Sequence, residues 1–569
     1  MLRLTNARTV TKLVTRLPHV NYYLQLRGPD HTGAHMQGGF AFVHNLLHMT
    51  GSFTPQPFVS ADNSTVALFN GEIYNFRKLE SLLRPRGQRY ASDGACILEA
   101  YAKWGPRFAR HFEGEFAIAV FDLAKRKIFV ATDPFGVKPL FVAMGAEGFG
   151  VSSYRSGLVR AGHDPVNVRQ LPANSIHVYS YEMHPETGEP RSFLQARPAI
   201  ALVQWELRQH KTTTDDWEAA FEDAVRVRTE GAFRGVFLAL SSGYDSGAIH
   251  LAMLRLRVPH ATYSIVGAEN KDDQRILERR VAFAKAFSSS AGRAGGAVDG
   301  RGGGGGGGAG GGSEPNGGAG RRKSAADQHD ASTLLGSYIV RVNASTYRRT
   351  HKQLQQNAEP YRYSLPVYSA PKLDAPGFVV GERIRSNEMP MLKDSAAMGV
   401  ATICTLAKAR GQLTMLTGSG ADETMTDYGF AGLRFAPQSQ FGGHYPNDTA
   451  LRAIFPWENF YQGSQRAYLA KDEYVTGAFG IEGRFPFLDA RVVQEQLFLS
   501  PELKNTYYKA AAQLYMRKYN YPVEPCVATP ASPFGEGAGC KKVGFLVPSR
   551  PRKVGARSGC IGPACKPWF

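Results

Sequence analysis

Apolar residues in the first 200 positions come in short runs divided by turn-forming residues. "STVALFNGEIYN" and "FAIAVFDLAKRKIFVATD" are examples, and the second reads as two strands around a turn at Leu123–Lys127, a hairpin. Such runs predict a layered α+β domain with large sheets over residues 26–200. From Trp205 the spacing lengthens. "TDDWEAAFEDAVRVRTEG" carries apolar residues at helical spacing, opened by Asp215 and Asp216 and closed by Gly231. Residues 236–249, "VFLALSSGYDSGAI", then read as a buried strand, a tight turn and the start of a helix that runs through Arg255. Farther on, the helical run "MLKDSAAMGVATICTLAKARG" leads to the strand "QLTMLTG" and a second small-residue turn, "GSGADE". Strand–helix alternation predicts a parallel, doubly wound α/β sheet in a second domain over 205–545.

Two stretches stand outside this pattern. Residues 288–330, dominated by glycine, cannot bury an apolar face and predict a disordered insert, with structure resuming near Ser332. Residues 546–569 lack periodicity and read as a loose basic tail. No internal repeat is visible.

Composition narrows the class. With 569 residues and 43% hydrophobic content the chain has room for two or three globular domains, and no apolar run reaches the ~20 residues of a membrane helix. The cysteines Cys96, Cys404, Cys526, Cys540, Cys560 and Cys565 show no CxxC spacing. That argues against a zinc site or a disulfide framework and for a reducing, cytoplasmic setting. The formal charge is +18, part of it in Arg321-Arg322-Lys323 and in "PSRPRKVGARSGC". There is no basic helix with interleaved aromatics, so neither nucleic acid nor membrane is expected as a partner. Residues 1–25 carry Arg3, Arg8, Lys12 and Arg16 with no acid before Asp30, the composition of an organellar transit peptide. A start assigned in the wrong place is the rival reading.

The chemistry lies in the two turns. A Ser/Gly turn at a helix N-terminus leaves backbone N–H groups bare for an anion. No Lys follows Ser241–Ser246, so this is not the P-loop pattern, and Asp245 places a carboxylate where phosphate would sit. That combination makes sense with Mg²⁺ between them. Gly418–Glu423 repeats the arrangement with Asp422. Ligands of open parallel sheets bind at the C-terminal strand ends. If the two strands are neighbours, Asp245 and Asp422 share one metal and the turns share one nucleotide.

"LSSGYDSGAI" resembles the pyrophosphate loop of the ATP pyrophosphatase group, and "LTGSGADE" and "GIEGRFPFLDARVV" resemble later motifs of the asparagine synthetase family. "LRGPDHTG", "QPFVSADNSTVALFNGEIYNF", "YASDGACILEAY" and "FEGEFAIAVFDLAKRKIFVATDPFGVKPLF" resemble its glutaminase domain. The likeness covers most of 26–280 and 332–545. It implies an N-terminal nucleophile-type αββα sandwich followed by the doubly wound domain. It implies an AMP-forming amide ligase that uses ATP and Mg²⁺: a carboxylate, aspartate by resemblance, is adenylated, then attacked by ammonia or an amine. Ser241, Ser242, Gly243, Asp245, Ser246, Gly418 and Gly420 would hold ATP and pyrophosphate, with Ser264 and Ile265 on the adenine side. Lys509 would steady developing negative charge. Ser419, Asp422 and Glu423 would face the substrate. Glu482 matches a family Glu, and an ion-pair role beside Arg484 is its alternative. Asn70, Gly71 and Asp93 would belong to a glutamine site. The expected partners are ATP, an amino-acid carboxylate and ammonia or glutamine, with a homodimer left open.

Three departures qualify that reading. The family's glutaminase works through an N-terminal Cys, whereas this chain begins Met1-Leu2-Arg3. An upstream start would restore a Cys. It would not restore the Arg expected for glutamine's carboxylate, which corresponds to Leu46. An inactive glutaminase explains both. Ser419 stands where asparagine synthetases carry Glu and the related β-lactam synthetases Tyr. Internal amide formation of the β-lactam synthetase kind, and a non-catalytic regulator, are therefore the alternatives.

Overall fold

The computed structural model describes residues 2–3, 15–84, 87, 89–196, 198–266, 271–294, 334–372 and 379–523. In the first half, Thr65–Ile73 and Gly114–Asp122 pair antiparallel along their whole length, and Lys127–Thr132 returns beside the second. The expected hairpin thus forms, with Arg126 left-handed in its turn at φ +55°. These strands are the middle of a seven-stranded sheet. Strand alternation then builds the layers. Phe116, Ile118 and Val120 pack under Leu79, Ile97 and Tyr101 of the helices Phe76–Leu83 and Ile97–Trp104. Ala117, Ala119 and Phe121 point the other way, onto Phe40, Phe42, Val142 and Phe149 of two three-stranded sheets. The helix Arg155–Ala161 covers the outer side through Leu158 on Phe141 and Ala143. The order of layers is helix, sheet, sheet, helix.

The second half holds five parallel strands: β1 (Val236–Ala239), β2 (His260–Ile265), β3 (Leu334–Val340), β4 (Thr414–Leu416) and β5 (Glu482–Arg484). Their spatial order is β3–β2–β1–β4–β5, every pair parallel. Val236 and Leu238 pack against one helical layer that includes Asp215–Thr229 and Tyr244–Arg255, and Phe237 packs against the other, with Ser395–Lys408 and Gly463–Gly477. The sheet is doubly wound. The chain steps outward from β1 through β2 to β3, then returns past β1 to lay down β4. The order reverses between β1 and β4, and the two small-residue turns follow these two strands.

Three boundaries shift. The helix Lys271–Ala294 runs past residue 288, because the serines and Ala291 still propagate a helix and the first glycine pair is Gly295-Gly296. Structure resumes at Leu334, and the glycine tract from 295 lies outside the described residues. Of residues 1–25 the described ones join the first half: Leu2–Arg3 pairs with Phe40 and Ala41, and the helix Tyr22–Arg27 crosses the expected border. The border at 545 and the tail fall outside the described residues.

Candidate nucleotide site and the cavity at the seam

The turn after β1 is tied from within. Ser246 Oγ lies 2.9 Å from Ser241 Oγ and accepts from Ser241 N at 3.0 Å, and Gly243 N donates to Ser241 Oγ at 3.2 Å. Arg280, fully buried, donates Nη1 to the carbonyls of Ser241 at 2.5 Å and Gly243 at 3.0 Å. Gly243 is extended and caps the helix that starts at Tyr244, which sets Asp245 in its first turn. Ser264 and Ile265 end β2 beside this turn, since Ala239 pairs with Tyr263.

The second turn presses against the first. A Cβ on Gly418 would lie 2.6 Å from Asp245 Cβ, so only glycine permits the approach. Gly420 takes φ +97° and its N–H donates to Glu423 Oε2 at 3.1 Å, closing the short helix Ala421–Met425. Asp422 accepts from Tyr508 Oη at 2.5 Å. Burial pushes Glu423 up to about 7, with Asp422 adding to it, while Tyr428 donates to its carboxylate.

Lys509 joins the turns. Its Nζ stands 2.5 Å from Asp245 Oδ1 and 2.7 Å from Asp422 Oδ1. Its side chain is 1% exposed, while the two carboxylates keep 14% and 11% exposure. Burial would lower the lysine's pKa, but Asp245 and Asp422 outweigh it and hold the ammonium charged. The residue sits left-handed at φ +54°, a conformation that costs a non-glycine residue ~1–3 kcal/mol and persists where surroundings impose it. Ser419, between the two glycines, donates Oγ to Asp472 Oδ2 at 2.6 Å, and Asp472 pairs with Lys471 at 3.4 Å. A carboxylate thus stands behind the serine.

Glu482 takes no part in that cluster. It opens β5 opposite Thr414, short of the strand ends, and makes the ion pair with Arg484 that was its alternative reading. Its carboxylate accepts from Arg484 Nε at 2.9 Å and lies 3.7 Å from Arg27 Nη2. Burial opposes its ionisation, yet Arg484, Lys138 and Arg27 together hold its pKa low. This belongs to a buried seam between the halves. Arg484 also donates to Glu72 at 2.8 Å and to the Arg228 carbonyl at 2.8 Å. Arg228 donates to Glu115 at 2.7 Å, and Arg27 to Glu473 at 2.7 Å.

A cavity of about 70 Å³ opens onto this seam, lined by Asn70, Gly71, Asp93 and Leu46 from the first half and by Glu482 from the second. Gly71 is required there: at φ +128° a Cβ would lie 1.9 Å from the Glu115 carbonyl. Asp93 accepts from Ile73 N at 2.8 Å. Cys96 is buried in the apolar core under the sheet, its Sγ on the Asp93 carbonyl at 3.1 Å, and burial pushes its pKa far up, so it supplies no thiolate.

Sequence reading missed Arg280, Arg27, Lys138 and Asp472. One signal was present: Leu277, Arg280 and Ala284 share a helical stripe, all buried, and an arginine on an apolar stripe demands partners.

Residues 4–212 match the glutamine amidotransferase domain family. Over 281 residues the chain is 36% identical to a Mycobacterium tuberculosis protein provisionally named a glutamine-hydrolysing asparagine synthetase, covering 42% of each. It is 29% identical over 273 residues to asparagine synthetase (glutamine-hydrolysing) 3 of Bacillus subtilis, covering 43% of this chain and 44% of that one. It is 30% identical over 239 residues to the glutamine-hydrolysing asparagine synthetase of Gallus gallus, covering 38% and 41%. The chain thus spans about two-fifths of the length of the relatives it matches.

Proposed function

From its similarity to the glutamine-hydrolysing asparagine synthetases, we propose that this chain is an ATP-dependent, AMP-forming amide ligase, a carbon–nitrogen bond-forming enzyme. A carboxylate substrate, aspartate on the strength of the relatives, attacks ATP to give an acyl-adenylate and pyrophosphate, and ammonia or an amine then displaces AMP. The observation that carries this is Lys509 held between Asp245 and Asp422 at the point where the strand order reverses. The turn after β1, which Arg280 keeps in shape from below, would lie against the pyrophosphate. Lys509 supplies a positive charge where negative charge develops.

The donor set suits Mg²⁺: two hard carboxylate oxygens on abutting turns, with a bare Gly418 leaving the backbone close. Among the described residues no third His, Cys, Asp or Glu joins them, so phosphate and water would complete the shell. Asp245 and Asp422 would hold the ion, and it would neutralise phosphate charge.

We read the nitrogen source as free ammonia or a substrate's own amine. Leu46 lines the cavity at the seam, where glutamine's carboxylate would need a cation, and Cys96 is sealed in the core. The test is ATP–pyrophosphate exchange with Mg²⁺ across a panel of amino-acid carboxylates. Exchange should appear with one of them and vanish in Asp245→Ala. Exchange that survives in the variant refutes the site. Glutamate released from glutamine as fast as AMP forms refutes the reading of Leu46.

A further inference from the structure

Lys509 stands on both candidate metal ligands at once. Its Nζ lies 2.5 Å from Asp245 Oδ1 and 2.7 Å from Asp422 Oδ1, and the second oxygen also accepts from Tyr508 Oη at 2.5 Å. A divalent ion on the two carboxylates would compete with the ammonium for these oxygens or sit beside it. Repulsion between such neighbours is poorly screened in a partly buried site.

The charges around the two turns nearly cancel. Asp245 and Asp422 face Lys509, and Arg280 lies under the first turn with Nη1 on the Ser241 and Gly243 carbonyls. Glu423 adds little, since burial pushes its carboxyl up to about 7 and Tyr428 donates to it. Farther along, Lys471 pairs with Asp472, and Asp394 accepts from Tyr363 Oη at 2.8 Å. Little negative charge is left over to draw in a divalent cation. A triphosphate reverses the sum: it brings negative charge for both cations and further oxygens for the ion.

The lysine is built to answer that change and no smaller one. With 1% of its side chain exposed, its ammonium has no water to retreat to, and leaving the carboxylates without another anion would strand a buried charge. Its backbone is held, left-handed at φ +54° with the carbonyl accepting from Gln513 N at 3.0 Å at the start of the helix Ala510–Lys518. Movement belongs to the flexible four-carbon stem.

We propose that Lys509 bars Asp245 and Asp422 to a free divalent cation, so that the metal is taken up only together with a triphosphate, to which the ammonium transfers its contact. The inference rests on the reading of this mouth as a metal and nucleotide site, and it makes metal uptake conditional on the nucleotide.

The experiment titrates the full chain at pH 7 with Mn²⁺ alone, free Mn²⁺ being read by electron paramagnetic resonance. The unaltered chain should show no saturable uptake at millimolar Mn²⁺. Lys509→Met and Lys509→Gln, each checked for folding by circular dichroism, should take up a single Mn²⁺ with affinity raised about tenfold or more, because a full positive charge leaves the ion's side. Misfolding cannot mimic that gain. Adding Asp245→Asn to either variant should abolish it. In the unaltered chain, α,β-methylene-ATP should bind about tenfold tighter or better with Mn²⁺ than with a chelator, a coupling of ordinary size between two ligands. Uptake of Mn²⁺ alone by the unaltered chain as tight as in the variants, no gain in either variant, a gain that survives Asp245→Asn, or equal binding of the analogue with and without Mn²⁺ would each overturn the proposal. None of these readouts involves turnover, so failure here and absence of ATP–pyrophosphate exchange are told apart.

Discussion

Lys509 and Arg484 each hold two carboxylates, the first at the open mouth of the parallel sheet, the second at the seam between the halves. At the mouth the acids belong to turns on neighbouring strands and keep 11–14% exposure. A lysine ammonium is a compact charge on a flexible stem, able to yield its place to another cation or follow a phosphate. At the seam the acids are 5–6% exposed, and the planar guanidinium also reaches the Arg228 carbonyl. A fork with every arm engaged cannot move without leaving buried charge unpaired. A cation between two carboxylates thus stays within reach of water at the mouth and becomes a sealed rivet at the seam.

The sharpest way to break that contrast is to remove the rivet. Arg484→Met should cost ~3–5 kcal/mol, because Glu72 and Glu482 stay buried without a partner. Urea unfolding reads it, and a loss below ~1 kcal/mol would mean the halves are held by apolar contact instead. Next comes the mouth. Asp245→Asn should lower ATP–pyrophosphate exchange ~10²–10³-fold, the scale of losing one preorganised charge contact. Its melting point should move far less than that of Arg484→Met, since Lys509 keeps Asp422. Equal losses of stability in the two variants would erase the distinction.

A pH scan sharpens it further. Glu423 near the mouth and the buried Asp427 are each pushed up to about 7, by burial first, from ordinary values of 4.5 and 3.8. The folded state therefore holds these protons more tightly than the unfolded one, and this part of the stability falls as pH rises from about 4.5 to about 7. Glu482 at the seam runs the other way: its pKa is depressed, so its contribution is present above its ordinary 4.5 and is lost as pH falls through the folded value. Glu423→Gln should flatten the fall between pH 5 and 7 by ~1–3 kcal/mol in thermal melts, and an unchanged slope would show that Glu423 is ionised throughout. The smallest effect belongs to the surface. Arg226, half exposed between Asp223 and Glu230, should lose only ~0–1 kcal/mol as Arg226→Ala, the baseline for the buried pairs.

How far the sequence reaches follows from the range of each interaction. The hairpin at Leu123–Lys127, the helix ending at Arg255 and the two Ser/Gly/Asp turns were legible, because each is written in a dozen neighbouring residues. That the turns abut was inferred from the sheet rule rather than seen. Lys509 was placed by resemblance, and its contacts lie 264 and 87 positions away. For Glu482 the sequence left two readings, because "GIEGRFPF" shows a short strand but not the half of the molecule it faces. Asp472 behind Ser419 was invisible for the same reason, being 53 positions distant.

One feature of the sheet bears on how this chain can vary between generations. The glycine-rich segment enters through the crossover from β2 to β3, and β3 is the outermost strand on the side away from β4 and β5. Each doubling of a flexible loop costs only ~0.6 kcal/mol of closure entropy. The strands that carry Ser241–Ser246 and Gly418–Glu423 lie inward of that edge. A change in the length of this connection therefore leaves the spacing between Asp245, Asp422 and Lys509 to the inner strands.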